Sequence, residues 1–177
     1  TIIYRTIAQN VQNAVLAIPV GFSSAEVESA WECIKEAKHP RLQIELPVST
    51  IQMEYMYHIK QAKMIEKIAE LTKAAKAVCT DVEFSALDAT RADEDCLIAA
   101  VKEAEVNGAV MVTLCDDAGN STPDEIAALV AKVKEAVKVP VYVRVSDRIN
   151  IAVASAFAAI GKGADGLKCA MAGKDVL

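Results

Sequence analysis

The sequence predicts an α/β fold in which parallel strands are joined by crossover helices. Two short apolar runs, residues 82–85 and 109–114, each end in a polar cluster, and one helix length separates them. This β-loop-α rhythm recurs along the chain with a period of ~25 residues. The alternation predicts about six strands and about six helices, and we expect one domain spanning residues 1–177.

Composition and charge limit the classes of function. The 177 residues are 53% hydrophobic and only 5% aromatic, so we expect an aliphatic core of good size. The net charge of −5 argues against nucleic acid or an anionic membrane surface as a partner. No apolar run reaches the ~20 residues of a membrane span. The five cysteines form no CxxC pair, which is typical of free thiols in a reducing cytoplasm.

Local signals predict each helix and strand in turn. The Ser23–Glu26 stretch is a capping box, Thr122 and Pro123 begin a later helix, and Gly108 is a C-cap. Pro19 suits the end of a strand or an edge strand. The predicted helices cover residues 2–12, 23–39, 61–76, 93–108, 122–137 and 151–160, and the predicted strands cover residues 14–20, 41–48, 82–85, 109–114, 139–145 and 167–171.

Polar residues where two strands end form the candidate site. In parallel α/β folds the carboxyl ends of the strands face the ligand. The predicted site residues are Glu83, Ser85, Asp88, Arg91, Thr113, Asp116 and Asp117, and Arg144 of a later strand is added to the same candidate pocket.

Several other residues have two interpretations. Glu45 is either a buried carboxylate or, more commonly, a salt-bridge partner. Tyr55, Tyr57 and His58 either line a pocket mouth or pack within a loop, and loop packing is favoured. Cys115 follows a strand and lacks a nearby histidine in sequence, so we assign no catalytic residue there.

The candidate stretch resembles a known family. VEFSALDATRAD at residues 82–93 and TLCDDAGNSTP at residues 113–123 are similar to motifs of the α-isopropylmalate synthase and homocitrate synthase family, acyl-transferring (β/α)8 barrels related more distantly to HMG-CoA lyases. The resemblance implies a partial TIM-type barrel of about six βα units, corresponding to strands 3–8 of the family barrel.

Departures from the family pattern concern the metal site. The resemblance implies a divalent metal held by an Asp on the first strand and an H-x-H pair on the seventh, which polarises a keto acid. Arg144 and Ser146 occupy the H-x-H positions, Gln43 replaces a strand-four His, and the first-strand signature is not found. Since arginine does not ligate cations, we expect no metal cofactor. A hard-cation site of Glu83, Asp116 and Asp117 is the remaining alternative.

Three functions follow from these observations. The favoured one is a catalytically degenerate relative that acts as an oligomeric assembly or regulatory protein. The second is a 2-isopropylmalate synthase-like acyltransferase of amino-acid biosynthesis, completed by a partner chain. The third is a binder of small 2-oxo or dicarboxylic acids that uses Arg144 and Arg148 as positive charges. Six strands of an eight-stranded barrel leave open edges, so we expect a homo-oligomer or a complementing barrel chain.

Overall fold

The computed structural model describes residues 2–170 and contains one sheet of six parallel strands. Each strand pairs with its neighbours in sequence, so the sheet order is the chain order. This topology confirms the predicted α/β class and is that of an open, partial (β/α)8 barrel. The strands are β1 Leu16–Val20, β2 Pro40–Pro47, β3 Val82–Leu87, β4 Met111–Asp116, β5 Val141–Val145 and β6 Gly166–Lys168.

Helices connect the strands in the manner of crossover units. A π-helical segment at Ile51–Met56 and a 3₁₀ turn at Ala89–Arg91 lie in two of the loops after strands. The predicted capping box at Ser23 is present, and the predicted helix start at Thr122 also forms a capping box. The helices are α1 Ile2–Asn10, α2 Ser24–Ile34, α3 Gln61–Val78, α4 Glu94–Val106, α5 Pro123–Ala136 and α6 Ala152–Gly161.

The two faces of the sheet differ in polarity, because side chains alternate along each strand. One face is apolar and lies under the helices, where residues such as Leu42, Ile44 and Phe84 are fully buried. The opposite face is the inner, concave face of the barrel. Register places Gln43 beside Glu83 and places Ser85 beside Thr113 on that face. The polar residues of neighbouring strands therefore meet on the concave side.

Some element boundaries differ from the prediction. The last strand ends at Lys168, and Met171, the predicted end, lies outside the described residues. The first helix ends at Asn10. The ring of Tyr57 stacks on Phe22 with centroids 5.0 Å apart, which agrees with loop packing. Within residues 2–170, no helix combines the length and the apolar character needed to cross a bilayer.

Candidate functional site

The buried carboxylate of Glu83 is at the centre of the concave face. It is 1% exposed, and its Oε1 accepts hydrogen bonds from Ser85 Oγ at 2.9 Å and from Thr113 Oγ1 at 2.7 Å. Lys168 Nζ also donates to this oxygen, and Arg41 Nη1 lies 3.9 Å from Oε2. Residues of β2, β3, β4 and β6 thus surround one negative charge with hydroxyl groups and cations.

Arg144 forms a second cluster on the same face, nearer the carboxyl ends of the strands. Its Nη2 donates to Asp117 Oδ1 at 2.7 Å, and its Nη1 lies 3.5 Å from Glu45 Oε1. Gln43 Nε2 donates to Glu45 at 2.6 Å and to Ser85 Oγ at 3.1 Å, which links this cluster to Glu83. The guanidinium of Arg144 is therefore already paired with two carboxylates, and Glu45 is a salt-bridge partner.

Asp88 connects the loops above β3 and β4. It is fully buried and has a φ of 57°, a left-handed conformation that aspartate tolerates better than most residues. Its carboxylate accepts hydrogen bonds from Arg91 Nε at 2.7 Å and from Ser49 Oγ. Its backbone N–H donates to Asp117 Oδ2 at 2.9 Å. Asp117 therefore joins the Asp88 loop to Arg144.

Asp116 faces the helices and not the concave side. It shares its face of β4 with Val112 and Leu114, and its Oδ1 accepts hydrogen bonds from Thr90 Oγ1 at 2.8 Å and from the Gly119 N–H at 3.1 Å. Burial raises the pKa of this carboxyl above its ordinary value of 3.8, although these two hydrogen bonds oppose the shift.

The alternative hard-cation site was therefore wrong in its geometry. Register pairs Glu83 with Met111, and Asp116 lies an odd number of positions further along β4. Since side chains alternate along a strand, Asp116 lies on the opposite face of the sheet from Glu83. Among residues 2–170, no three or more His, Cys, Asp or Glu side chains are grouped so that they could hold a metal ion.

The structure divides the predicted site residues into two groups. Glu83, Ser85, Thr113, Asp117 and Arg144 share the concave face or its rim. The second group, Asp88, Arg91 and Asp116, holds the loops after β3 and β4. Binding of a ligand by either group stays a prediction.

Sequence reasoning missed Lys168 and Arg41, the two cations beside Glu83. Strand alternation carries a signal for Lys168, since register pairs it with Arg144 and so places both on one face. The pairing with Glu83, 85 residues earlier in the chain, has no local signal.

Cys115 is an inert thiol in this position. It is fully buried, and burial raises its pKa to about 12, so the thiol is protonated at neutral pH. His39 and His58 are both exposed and lie outside the cluster. These features agree with the expectation that Cys115 is not a nucleophile.

Charges on the concave face are nearly balanced. The carboxylates of Asp81, Glu83, Glu45 and Asp117 lie against three cations, those of Arg41, Arg144 and Lys168. Each cation contacts at least one carboxylate. An incoming anion would therefore compete with carboxylates that are already in place.

The residues present do not fit the divalent metal that the resemblance implies. A metal site needs lone-pair donors, and Arg144 brings a positive charge to one of the H-x-H positions. The two carboxylates nearest to that position, Asp117 and Glu45, are bound to Arg144 itself.

Comparison with known proteins identifies relatives of two kinds. A family model described as HMGL-like matches residues 2–174. The 2-isopropylmalate synthase of Carboxydothermus hydrogenoformans is 34% identical over 173 residues, which are 94% of this chain and 34% of that protein. The 2-isopropylmalate synthase of Clostridium kluyveri is 32% identical over 96% of this chain and 34% of its own length. The chain therefore spans about a third of the length of these relatives.

Solved structures show the same fold. Hydroxymethylglutaryl-CoA lyase from Pseudomonas aeruginosa superposes with a TM-score of 0.78 at 15% identity, over 91% of this chain and 54% of that chain. The HMG-CoA lyase from Brucella melitensis gives a TM-score of 0.76 at 15% identity, over 98% of this chain and 66% of that chain. These similarities support the partial-barrel architecture, and the family model covers nearly the whole sequence. The chain belongs to the HMGL-like family.

Proposed function

We propose that this chain is a catalytically degenerate member of its family, without a metal site, that acts as an oligomeric assembly or regulatory protein. The observation that carries the proposal is the pairing of Arg144 with Asp117 at 2.7 Å and with Glu45 at 3.5 Å. A guanidinium stands where the resemblance implies a metal ligand, and two carboxylates are paired with it.

The pairing of Lys168 with Glu83 supports the same proposal. A buried carboxylate that receives one ammonium and two hydroxyl hydrogen bonds is already well satisfied. All three hydrogen bonds go to Oε1, and Arg41 lies 3.9 Å from Oε2, so nearby positive charge already offsets this carboxylate and opposes the approach of a further cation. The concave face thus has the features of a structural ion-pair network, in which removal of one partner leaves an uncompensated charge.

An acyltransferase completed by a partner chain is the second candidate. The observation that favours it is the 34% identity to a 2-isopropylmalate synthase over nearly the whole of this chain. Under this alternative, strands from elsewhere supply the metal ligands. A binder of 2-oxo or dicarboxylic acids is less favoured, because Arg144 is already paired and Arg148 is exposed at the rim.

A metal and turnover assay tests the proposal. The purified chain is analysed for bound metal by mass spectrometry, then assayed for release of coenzyme A from acetyl-CoA with a panel of 2-oxo acids and added Mg²⁺, Mn²⁺ or Zn²⁺. A full-length 2-isopropylmalate synthase is the positive control. We expect no stoichiometric metal and no turnover above the protein-free blank. Condensation product formed by the chain alone would overturn the proposal.

Thermal shift separates the acid binder from the assembly protein. A ligand that binds the native state raises the melting temperature in proportion to the logarithm of its concentration above Kd. We expect no rise with 2-oxo or dicarboxylic acids at millimolar concentration. A rise that follows the logarithm of the acid concentration and disappears in Arg144→Met would instead support the acid binder.

A further inference from the structure

The carboxylate of Asp117 joins the concave face of the sheet to a loop at its rim. Its Oδ1 accepts a hydrogen bond from Arg144 Nη2 at 2.7 Å, and its Oδ2 accepts one from the Asp88 backbone N–H at 2.9 Å. Arg144 belongs to the concave face, whereas Asp88 begins the loop after β3. One half-buried side chain therefore holds a cation with one oxygen and a loop backbone with the other.

The loop after β3 has a backbone conformation that needs support. Asp88 has a φ of 57°, in the left-handed region, and the 3₁₀ turn Ala89–Arg91 follows directly. Left-handed backbone is unfavourable for a residue with a Cβ, even for aspartate, and persists only where the surroundings hold it. A change of Asp88 to the ordinary right-handed region is thus the movement that its contacts prevent.

Three contacts hold Asp88 in this conformation. Its carboxylate accepts hydrogen bonds from Arg91 Nε at 2.7 Å, three residues along the chain, and from Ser49 Oγ of the loop after β2. Its N–H donates to Asp117. The contact with Asp117 acts on the backbone itself, because the N–H belongs to the residue whose φ is left-handed. Asp117 is therefore the partner whose position decides that conformation.

Arg144 orients Asp117 because the guanidinium is itself held from its other side. Arg144 Nη1 lies 3.5 Å from Glu45 Oε1, and Gln43 Nε2 donates to the same oxygen at 2.6 Å. A guanidinium presents its donors in a rigid planar fork, so the contact with Glu45 sets the direction in which Nη2 meets Asp117. A hydrogen bond between two charged groups is stronger than a neutral one. The concave face thus fixes the acceptor for the Asp88 N–H.

The same loop forms one wall of a polar cavity of about 230 Å³. Thr90 and Arg91 line the cavity from the loop after β3, and Asn120 and Ser121 line it from the loop after β4. Because Thr90 and Arg91 follow Asp88 closely in the chain, a change of its φ displaces both of them. The shape of this cavity therefore depends on the contacts that hold Asp88.

We infer that Arg144 is a positioning residue that sets the conformation of the loop after β3 by way of Asp117. A guanidinium on the inner face of the sheet controls the backbone of a rim loop and, with it, the shape of the cavity between the loops after β3 and β4. The inference goes beyond the proposed function and does not depend on it, because it concerns coupling between two parts of this chain and requires no ligand.

Amide hydrogen exchange of the whole chain, followed by NMR, tests this coupling. The test variant is Arg144→Met, and Arg41→Met is the matched control, because Arg41 is also a half-buried arginine but is paired with Asp81 at 2.7 Å, near the amino ends of the strands. We expect the Asp88 amide to exchange at least about tenfold faster in Arg144→Met than in the control, since a hydrogen bond to a charged group contributes on this order. The amide of Val112, in the central strand β4, reports loss of global stability.

A double-mutant cycle shows whether the effect passes through Asp117. The reporter is the amide of Ala92, which donates to Ala89 O at 3.3 Å within the same loop. We expect Asp117→Ala to speed up exchange of this amide, and Arg144→Met to add nothing in the Asp117→Ala background. Circular dichroism checks that each variant is folded. If Arg144→Met does not fold, Asp117→Ala still tests the loop.

Several outcomes would overturn the inference. One is an Asp88 amide that exchanges at the same rate in Arg144→Met and Arg41→Met, and another is equal acceleration of Asp88 and Val112, which would mean global unfolding. Additive effects in the cycle would show that Arg144 reaches the loop by another route. An Ala92 amide that is unchanged in Asp117→Ala would exclude Asp117 as the link. The turnover assay is independent of all these results, so this inference and the proposed function fail separately.

Discussion

At the scale of single residues, the ionisation of Asp116 depends on the fold. It is 4% exposed, and the nearby carboxylates of Asp117 and Asp88 add to the effect of burial in raising its pKa. Since the pKa in the folded chain is above the ordinary 3.8, the native state binds this proton more tightly than the unfolded chain does. As the pH rises from 3.8 through the raised pKa of the folded chain, this carboxyl therefore lowers the free energy of unfolding.

Replacement of Asp116 by asparagine removes this titration. The amide Oδ1 of the variant accepts the same hydrogen bonds from Thr90 and Gly119 without carrying a charge. We expect the Asp116→Asn variant to be at least as stable as the wild type at pH 7. Its advantage shrinks toward pH 4, where the wild-type carboxyl takes up its proton. Urea unfolding at the two pH values measures the difference.

The exposed Glu28 supplies the control for this comparison. Glu28→Gln removes one carboxylate from the outer side of α2 and should change stability by less than about 0.5 kcal/mol at either pH. A loss of more than about 1 kcal/mol at pH 7 for Asp116→Asn, the net contribution of a typical hydrogen bond, would show that the charge itself stabilises the loop.

Residue contacts on the concave face show where sequence reasoning stops. Alternation along β3 and β4 predicts that Glu83, Ser85 and Thr113 point the same way. The same alternation places Asp116 on the opposite face from Thr113, so the prediction that all polar residues at the strand ends share one site was wrong for Asp116. Long-range partners such as Lys168 and Glu83 depend on sheet register, which only the folded chain fixes.

At the scale of elements, α5 illustrates a helix specified by its own first turn. Thr122 Oγ1 accepts a hydrogen bond from the Glu125 N–H, and Glu125 Oε2 accepts one from the Thr122 N–H at 2.7 Å. The backbone hydrogen bond from Thr122 is the main cause that lowers the pKa of Glu125. The helix then buries Ile126, Val130 and Val133 in the core.

Removal of the cap hydroxyl should weaken this start. We expect Thr122→Ala to lower the free energy of unfolding by about 1 kcal/mol, since both the N-cap and its reciprocal partner lose a contact. Thermal or urea unfolding measures the loss. Ser29→Ala is the control, because the Ser29 hydroxyl is exposed in mid-helix and donates only to Ala25 O. Equal effects of the two substitutions would contradict a capping role for Thr122.

Elements with local signals were predicted well, and those that depend on packing were not. The predicted start of α5 at the Thr122 cap is present in the structure. The π-helix at Ile51–Met56 was missed, because its register depends on the burial of Met53, which is 2% exposed. The terminal strand β6 was predicted too long. Its three residues are too few to show the alternation of apolar and polar side chains from which a strand end is predicted.

At the scale of the whole molecule, the sheet is an unclosed barrel whose strands differ in protection. β3 and β4 have neighbours on both sides, and nearly all of their residues are buried. All three residues of β6 are half-buried, and β1 has a neighbour on one side only within residues 2–170. Local stability should therefore fall from the middle of the sheet toward its two edges.

Hydrogen exchange followed by mass spectrometry checks this gradient. We expect the slowest amide exchange in peptides from β3 and β4, around Phe84 and Val112, and the fastest strand exchange in β1 and β6. Uniform exchange across the six strands would show that the sheet opens only by global unfolding. The gradient would then be absent, and the open edges would be as stable as the centre of the sheet.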